Sequence, residues 1–297
     1  MSRRKLALGA AGAAAAAVAA EWWTFQGHLD HRRSPGAATP KLSAPAADGV
    51  VHVGHSTHVI QLGGKKLLTD PWFYDPAFGA LSHAVAPAVR PADLDPVDAI
   101  LISHDHADHA DLRALAEIAA HSRSAAVLVA TEHLAESLRA IGFTDVSVLA
   151  KDAERELPGA IAVRAVEAVH DVYEVGFVVR HAGRCVYFAG DTALHGSMEA
   201  IGKSFRPDVA ILPCDGTRVL GGALHVMRPE DAVEAARRLG AKVIVPSHAE
   251  AYFSDPLAAT VLASMEKDAI QRLHDGIAKH LPGVRCATPE PGEHVPI

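Results

Sequence analysis

Ser103-His104-Asp105-His106-Ala107-Asp108-His109-Ala110 packs three histidines and two aspartates into six consecutive positions, directly after the largely apolar run 97–102. So many imidazoles and carboxylates side by side either grip a cation or stand solvated on a surface. In a segment leaving a strand, alternate side chains share a face, so His104 and His106 point the same way and pair on one metal. Asp108 and His109 come at the turn into a following helix, where a bend aims them at a second ion. Two or three ligands per ion are too few, so others must arrive from distant sequence, at the ends of other strands. His170, which closes a strand over 161–169, Asp191 after 184–189, and His248 after 242–246 meet that condition.

Around this motif the pattern predicts strands at 50–60 and 66–69 about the turn Gly63-Gly64, a short buried strand at 99–103, and a helix over 108–121 with Leu112, Leu115, Ala116 and Ala119 on one face. A strand (125–130), a helix (131–141) and a strand (146–149) follow. A strand over 161–170 and a hairpin of 175–180 with 184–189 come next. Later strands fall at 208–213, 242–246 and 284–287, and helices at 228–239 and 257–280. Strands in runs with helices between and after them predict an α+β chain with sheet packed on sheet and helices outside.

The chain has 297 residues, 49% of them hydrophobic and 21% charged, which suits an ordinary globular protein. Its 19 histidines are the outlier and favour a metal site. A formal charge of −7 without a basic stripe argues against a nucleic-acid partner. Cys185, Cys214 and Cys286 are too few and too scattered for a disulfide scaffold or a cysteine-ligated zinc, and read as small buried hydrophobes. Residues 1–20, with Arg3, Arg4 and Lys5 ahead of an uncharged run from Leu6 to Ala20, read as an export signal or an N-terminal anchor. The adjacent arginines resemble a twin-arginine signal, so a periplasmic, extracellular or membrane-anchored location is expected ahead of a cytoplasmic one. Residues 21–48, rich in Pro, Ala and Gly, form a linker, and 49–297 the folded domain. No oligomeric state follows from the sequence.

SHDHADH, then a lone histidine, then Gly190-Asp191-Thr192, then Pro246-Ser247-His248, in that order, resembles the metallo-β-lactamase superfamily. The resemblance, which runs from His55 to His248, implies an αββα sandwich of two mixed sheets flanked by helices, with the site along one edge. It implies that His104, His106 and His170 bind one metal, that Asp108, His109 and His248 bind the other, and that Asp191 bridges them. Asp191 departs from the true zinc β-lactamases, and His106 stands where the oxygen-reducing diiron flavoproteins carry a glutamate. Gly54-His55-Ser56-Thr57, Thr69-Asp70-Pro71 and His225 ahead of Pro229-Glu230 look most like the branch of sugar-phosphate lactonases and N-acylphosphatidylethanolamine phospholipases D. His170 is followed by Asp171-Val172-Tyr173, which is unlike those phospholipases.

The function expected is hydrolysis of an ester-type bond, a phosphodiester or a lactone of a small molecule or lipid, by a metal-bridging hydroxide. Two Zn2+ ions are the first expectation, with Mn2+ or Fe2+ as alternatives in the same donors. The rival is a metal-binding protein without catalysis. Asp70 is expected behind the ligands by hydrogen bonding, or else as a turn cap. His225 is a candidate to protonate a leaving group, or else a surface residue. His55 is expected behind the ligands, and Asp105 there or solvated. Trp72, Phe73, Tyr74 and Phe78 either receive an acyl chain or pack the core. The remaining histidines, His52, His58, His83 and His195 among them, read as surface or packing residues.

Overall fold

The computed structural model describes residues 47–219, 222, 224–255 and 263–297, together with the strand pair 32–33. The expected export segment 1–20 lies outside these residues, as does nearly all of the linker 21–48. No helix among the described residues is long and apolar enough to cross a membrane.

The main elements run β1 (Gly49–Gly54), β2 (Thr57–Leu62), β3 (Lys65–Thr69), β4 (Ala99–Ile102), α1 (Leu112–Ser122), β5 (Ala126–Val129), α2 (Glu132–Ile141) and β6 (Asp145–Val148). They continue with β7 (Glu154–Leu157), β8 (Ile161–Glu167), β9 (Val175–His181), β10 (Arg184–Phe188), α3 (Ser197–Phe205), β11 (Val209–Pro213), α4 (Pro229–Leu239), β12 (Val243–Ser247), α5 (Ala269–His280), β13 (Arg285–Cys286) and β14 (His294–Pro296). Two seven-stranded sheets result, ordered β14-β1-β2-β3-β4-β5-β6 and β7-β8-β9-β10-β11-β12-β13. Each is antiparallel on one side and parallel on the other: the change comes after β3 in the first sheet and after β10 in the second.

Alternation along the strands decides the layers, because successive side chains face opposite ways. Leu101 of β4 points inward with Leu67 and Leu128 against Phe177, Phe188 and Ile211 of the other sheet. Ile100 and Ile102 point outward and are covered by Leu115 and Ile118 of α1 and Leu134 and Leu138 of α2. On the far side Tyr187, Ala210 and Ile244 meet Ile201 of α3, Ala235 and Leu239 of α4 and Leu273 and Ile277 of α5. Helix, sheet, sheet and helix therefore stack in the expected αββα order.

The boundaries differ in informative places. The expected strand 50–60 is two strands, broken by a turn at His55-Ser56 where Gly54 and His55 have positive φ. The expected helix 108–121 starts only at Leu112, because the Asp111 carboxylate accepts from the Arg113 and Ala114 amides as its N-cap. Its other oxygen accepts from the Phe73 and Tyr74 amides and ties that loop to the helix. Of the expected helix 257–280, only Ala269–His280 is helical; 263–264 are a short strand and 256–262 lie outside the described residues. The strand predicted over 161–170 stops at Glu167, so His170 stands three residues beyond it.

Candidate metal centre

Strand direction brings the chemistry to one edge. β1 and β3 flank β2 antiparallel, so they run together, and β4 runs parallel to β3. In the second sheet β8 and β10 both oppose β9, and β11 and β12 continue parallel to β10. The C-terminal ends of β1, β3 and β4 deliver His55, Asp70 and the His104–His109 motif. Those of β8, β10, β11 and β12 deliver His170, Asp191, Asp215 and His248. Three of these residues, His55, Asp70 and His248, sit at φ values of 52°, 32° and 51°. A side chain there carries backbone strain, which the surrounding contacts must offset.

Two clusters form at that edge. One nitrogen from each of His104, His106 and His170 lies within 4.8 Å of the others, with His170 Nε2 3.4 Å from His106 Nδ1. His55, Asp108, His109 and His248 form the second group by the same measure, and all four are buried. Asp191 joins it, its Oδ2 lying 3.1 Å from His109 Nε2 and 2.8 Å from His248 Nε2. The structure thus brings together the seven side chains named from sequence, and adds His55.

Most of the imidazoles are fixed from behind through their other nitrogen. His109 Nδ1 lies 2.7 Å from Asp70 Oδ2, His248 Nδ1 3.1 Å from Asp215 Oδ2, His170 Nδ1 3.0 Å from the His225 carbonyl, and His104 Nδ1 2.9 Å from Ser103 Oγ. Asp70 also accepts from the Ser103 amide at 2.7 Å and from Ser103 Oγ at 2.6 Å. This leaves His104 Nε2, Asp108 Oδ1 and Asp191 Oδ1 buried without a hydrogen-bond partner, and His109 Nε2 without a well-directed one, Asp191 being its neighbour at 3.1 Å. Buried polar atoms are rarely left so. Four such atoms of the types that bind divalent cations, at one edge and aimed by acceptors behind them, fit a metal centre.

The electrostatics agree. Burial pushes the Asp108 and Asp191 carboxyls up, but the facing His109 and His248 imidazoles outweigh it and hold both well below the usual carboxylate range. Burial likewise opposes a charge on His109 and His248, yet Asp191 dominates and raises both well above an ordinary histidine. Without a cation, protons on these two rings balance the buried carboxylates. Burial, reinforced by His109 and His106, holds His104 well below its ordinary value.

The remaining candidates separate. His225 stands beside the three-histidine cluster, its ring 5.8 Å from that of His170 and its Nδ1 3.3 Å from Asp171 Oδ2. Asp171 Oδ1 is 2.9 Å from His170 Nε2. Asp105 is half-buried and belongs to neither cluster. Trp72, Phe73 and Tyr74 are buried in the core, and only Phe78 of that loop is exposed, its ring edge-on to His106 at 5.5 Å. His52 and His58 are buried packing residues, linked to each other at 3.2 Å and from His52 to Glu250 at 2.7 Å.

Sequence reasoning missed Asp215, Glu174 and Glu250. Glu174 accepts from the Asp191 amide at 2.5 Å, and a β-carbon on Gly190 would come within 2.0 Å of its Oε1. Only glycine, also at φ +65°, lets the chain pass between Glu174 and Ser103 into Asp191. Asp215 follows a strand end as the predicted ligands do, and that position was its one available signal.

A family model described as a beta-lactamase superfamily domain matches residues 65–249. A UPF0173 metal-dependent hydrolase of Caldivirga maquilingensis is 32% identical over 200 residues, covering 66% of this chain and 79% of the relative. Among solved structures, an isothiocyanate hydrolase from Delia radicum gut bacteria superposes with a TM-score of 0.66 at 24% identity, over 84% of this chain and 98% of that one. The metallo hydrolase Igni18 of Ignicoccus hospitalis gives 0.60 at 22% identity, over 83% and 96%. At such identities the two structures speak for the fold alone. Matched domain, sequence relatives and αββα architecture coincide, and the chain belongs to the metallo-β-lactamase superfamily as one of its metal-dependent hydrolases.

Proposed function

We propose that the protein is a dinuclear hydrolase of ester-type bonds, acting on a phosphodiester or a lactone. His104, His106 and His170 would hold one ion and Asp108, His109 and His248 the other. Asp191 is the residue to serve both, since its Oδ2 faces His109 and His248 while its Oδ1 is buried and unpartnered. Zinc suits this histidine-rich set first, with manganese or iron(II) as alternatives. The observation that carries the reading is the convergence of buried, partnerless nitrogens and oxygens whose rings are held from behind. Divalent ions in such a set supply Lewis acidity and bring the pKa of water toward neutrality.

The chain's own residues do the rest. Asp70, Asp215 and the His225 carbonyl keep the rings in one orientation. Asp108 and Asp191 contribute two negative charges against two divalent cations, an excess of positive charge that suits an anionic ester or a developing oxyanion. His225, whose Nδ1 faces Asp171 at 3.3 Å, would carry a proton to the leaving group on Nε2. Phe78 gives the opening an apolar lip beside His106. Export through residues 1–20 belongs to the same reading; a precursor that stays full-length in the cytosol on expression counts against it.

Metal content of the purified protein, with turnover of a diaryl phosphodiester, a lactone, a thioester and an isothiocyanate before and after chelation, tests the proposal. Metal near two equivalents and chelator-sensitive turnover of an ester are expected. Turnover that survives complete metal removal overturns it, and bound metal with no turnover on any probe favours a binding role without catalysis.

A further inference from the structure

We propose that His55 is a direct fifth protein ligand at the Asp108, His109 and His248 position, counting the shared Asp191, which makes that position closed and the His104, His106 and His170 position, with one protein ligand fewer, open. The inference rests on the metal-centre reading above and extends it to a residue outside the matched stretch 65–249.

His55 is fully buried, and neither of its ring nitrogens has a hydrogen-bond partner. An imidazole placed for packing alone would find an acceptor, as the other buried histidines around it do. Here Nε2 lies 3.8 Å from Asp108 Oδ2, and the ring centre is 4.3 Å from that of His248. Two atoms ligating one ion at about 2.0–2.2 Å stand roughly 3–4 Å apart, which is the spacing seen across this group. His109 Nε2 and His248 Nε2 lie 3.7 and 3.5 Å from the same Asp108 oxygen, so His55 completes a ring of three histidines around one carboxylate.

The backbone is built to present this ring. His55 occupies a left-handed turn that a β-carbon makes unfavourable, and the turn is held by the Glu250 carboxylate, which accepts from the His55 amide at 3.0 Å. Glu250 is anchored in turn by His52. Trp72 meets the His55 ring edge-to-face at 5.0 Å, which fixes its plane. His55 also lines a cavity of about 180 Å³, together with His52, Ser247, Glu250 and Thr288 among others. Truncating His55 therefore joins this cavity to the metal centre and leaves a hole that free imidazole can enter.

The two positions should then release metal differently. The closed one is buried throughout, whereas His106 and His170 at the open one are only partly buried. In zinc-loaded full-length protein, a chelator is expected to remove one ion quickly and one slowly. In both His55→Ala and His55→Gln the slow phase should accelerate by more than the roughly 10–100-fold that loss of a merely supporting partner costs, while the fast phase stays unchanged. Free imidazole should slow it again in His55→Ala alone. In the cobalt-substituted protein the d–d bands of the slowly released ion should change in both variants. Unchanged slow phases and spectra, or equal acceleration of both phases, overturn the assignment.

Should the variants fail to fold, nitrogen-15 imidazole spectra of the zinc-loaded wild type decide the matter. Six histidines with a metal-shifted nitrogen support the assignment, and five overturn it. A wild-type chain that takes up none of zinc, manganese and iron(II) overturns the metal-centre reading itself and this inference with it. Two bound zinc ions with five shifted histidines overturn only the role of His55.

Discussion

Replacing Asp70 by Asn keeps the shape of a fully buried side chain and changes one acceptor into a donor. The carboxylate accepts three hydrogen bonds, from the Ser103 amide, from Ser103 Oγ and from His109 Nδ1. In the amide one terminal group is NH2, which must face either the Ser103 amide, in place of Oδ1, or both His109 Nδ1 and Ser103 Oγ, in place of Oδ2. One charge-assisted bond is lost and one buried donor goes unpaired, at a cost of about 1–3 kcal/mol. A change to the group orienting a metal-bound histidine weakens metal binding by about 10–100-fold, or roughly 1.4–2.7 kcal/mol, which agrees with the hydrogen-bond figure. Competition against a chromophoric chelator should show this loss at the Asp108, His109 and His248 position, with a smaller one at the other position passed on through Ser103 Oγ and His104. The exposed Glu132→Gln serves as a control. A folded Asp70→Asn protein whose two zinc affinities stay within about two-fold of wild type would refute the reasoning.

Zinc uptake should release protons, because His109 and His248 are raised well above an ordinary histidine and must lose their protons to bind. Affinity should rise with pH, and calorimetry in buffers of different ionisation enthalpy measures the proton count. In metal-free protein His55 is lowered by burial to about 4 from an ordinary 6.5. The unfolded chain therefore takes up this proton first as pH falls. The stability that the neutral ring contributes above pH 6.5 should be lost progressively down to about pH 4, by an amount on the order of 3 kcal/mol. Urea melts of wild type and His55→Gln across that range check the difference in slope. Gly190→Ala should destabilise by about 2–5 kcal/mol, from overpacking against Glu174 and a left-handed alanine; an unchanged melting temperature contradicts it. Burial pushes the thiol of Cys185 up to about 12 and that of Cys286 up to about 11, and raises that of Cys214. Ellman's reagent at pH 7 should therefore react appreciably with all three only after denaturation.

The edge of the sandwich was legible because the motif residues follow apolar runs, and a strand that ends in a ligand writes both features into adjacent sequence. Ile100 to His109 shows this most directly: alternation sets the two faces of β4, and the polar cluster begins where alternation stops. Asp215 and Glu250 were illegible for the opposite reason. Each is a single carboxylate without a repeat or motif, and its partner, His248 or His55, is close only after folding. The turn at His55 was hidden by an uninterrupted run of strand-forming residues on both sides of Gly54. β7, with its charged Glu154, Arg155 and Glu156, lies at the edge of its sheet, where only one side is paired and the apolar signal is weak.

The second half of the chain supplies His170, Asp191 and His248 from one sheet, while the first half supplies His104 to His109 from the other. A cation held by both sets rivets the two slabs together at this seam, beside the hydrogen bonds that Glu250 makes across it. Affinity for the ion then adds directly to the work needed to part the slabs. A chain nicked in the turn between β6 and β7 should reassemble from its two pieces far more readily when zinc is supplied than when it is withheld.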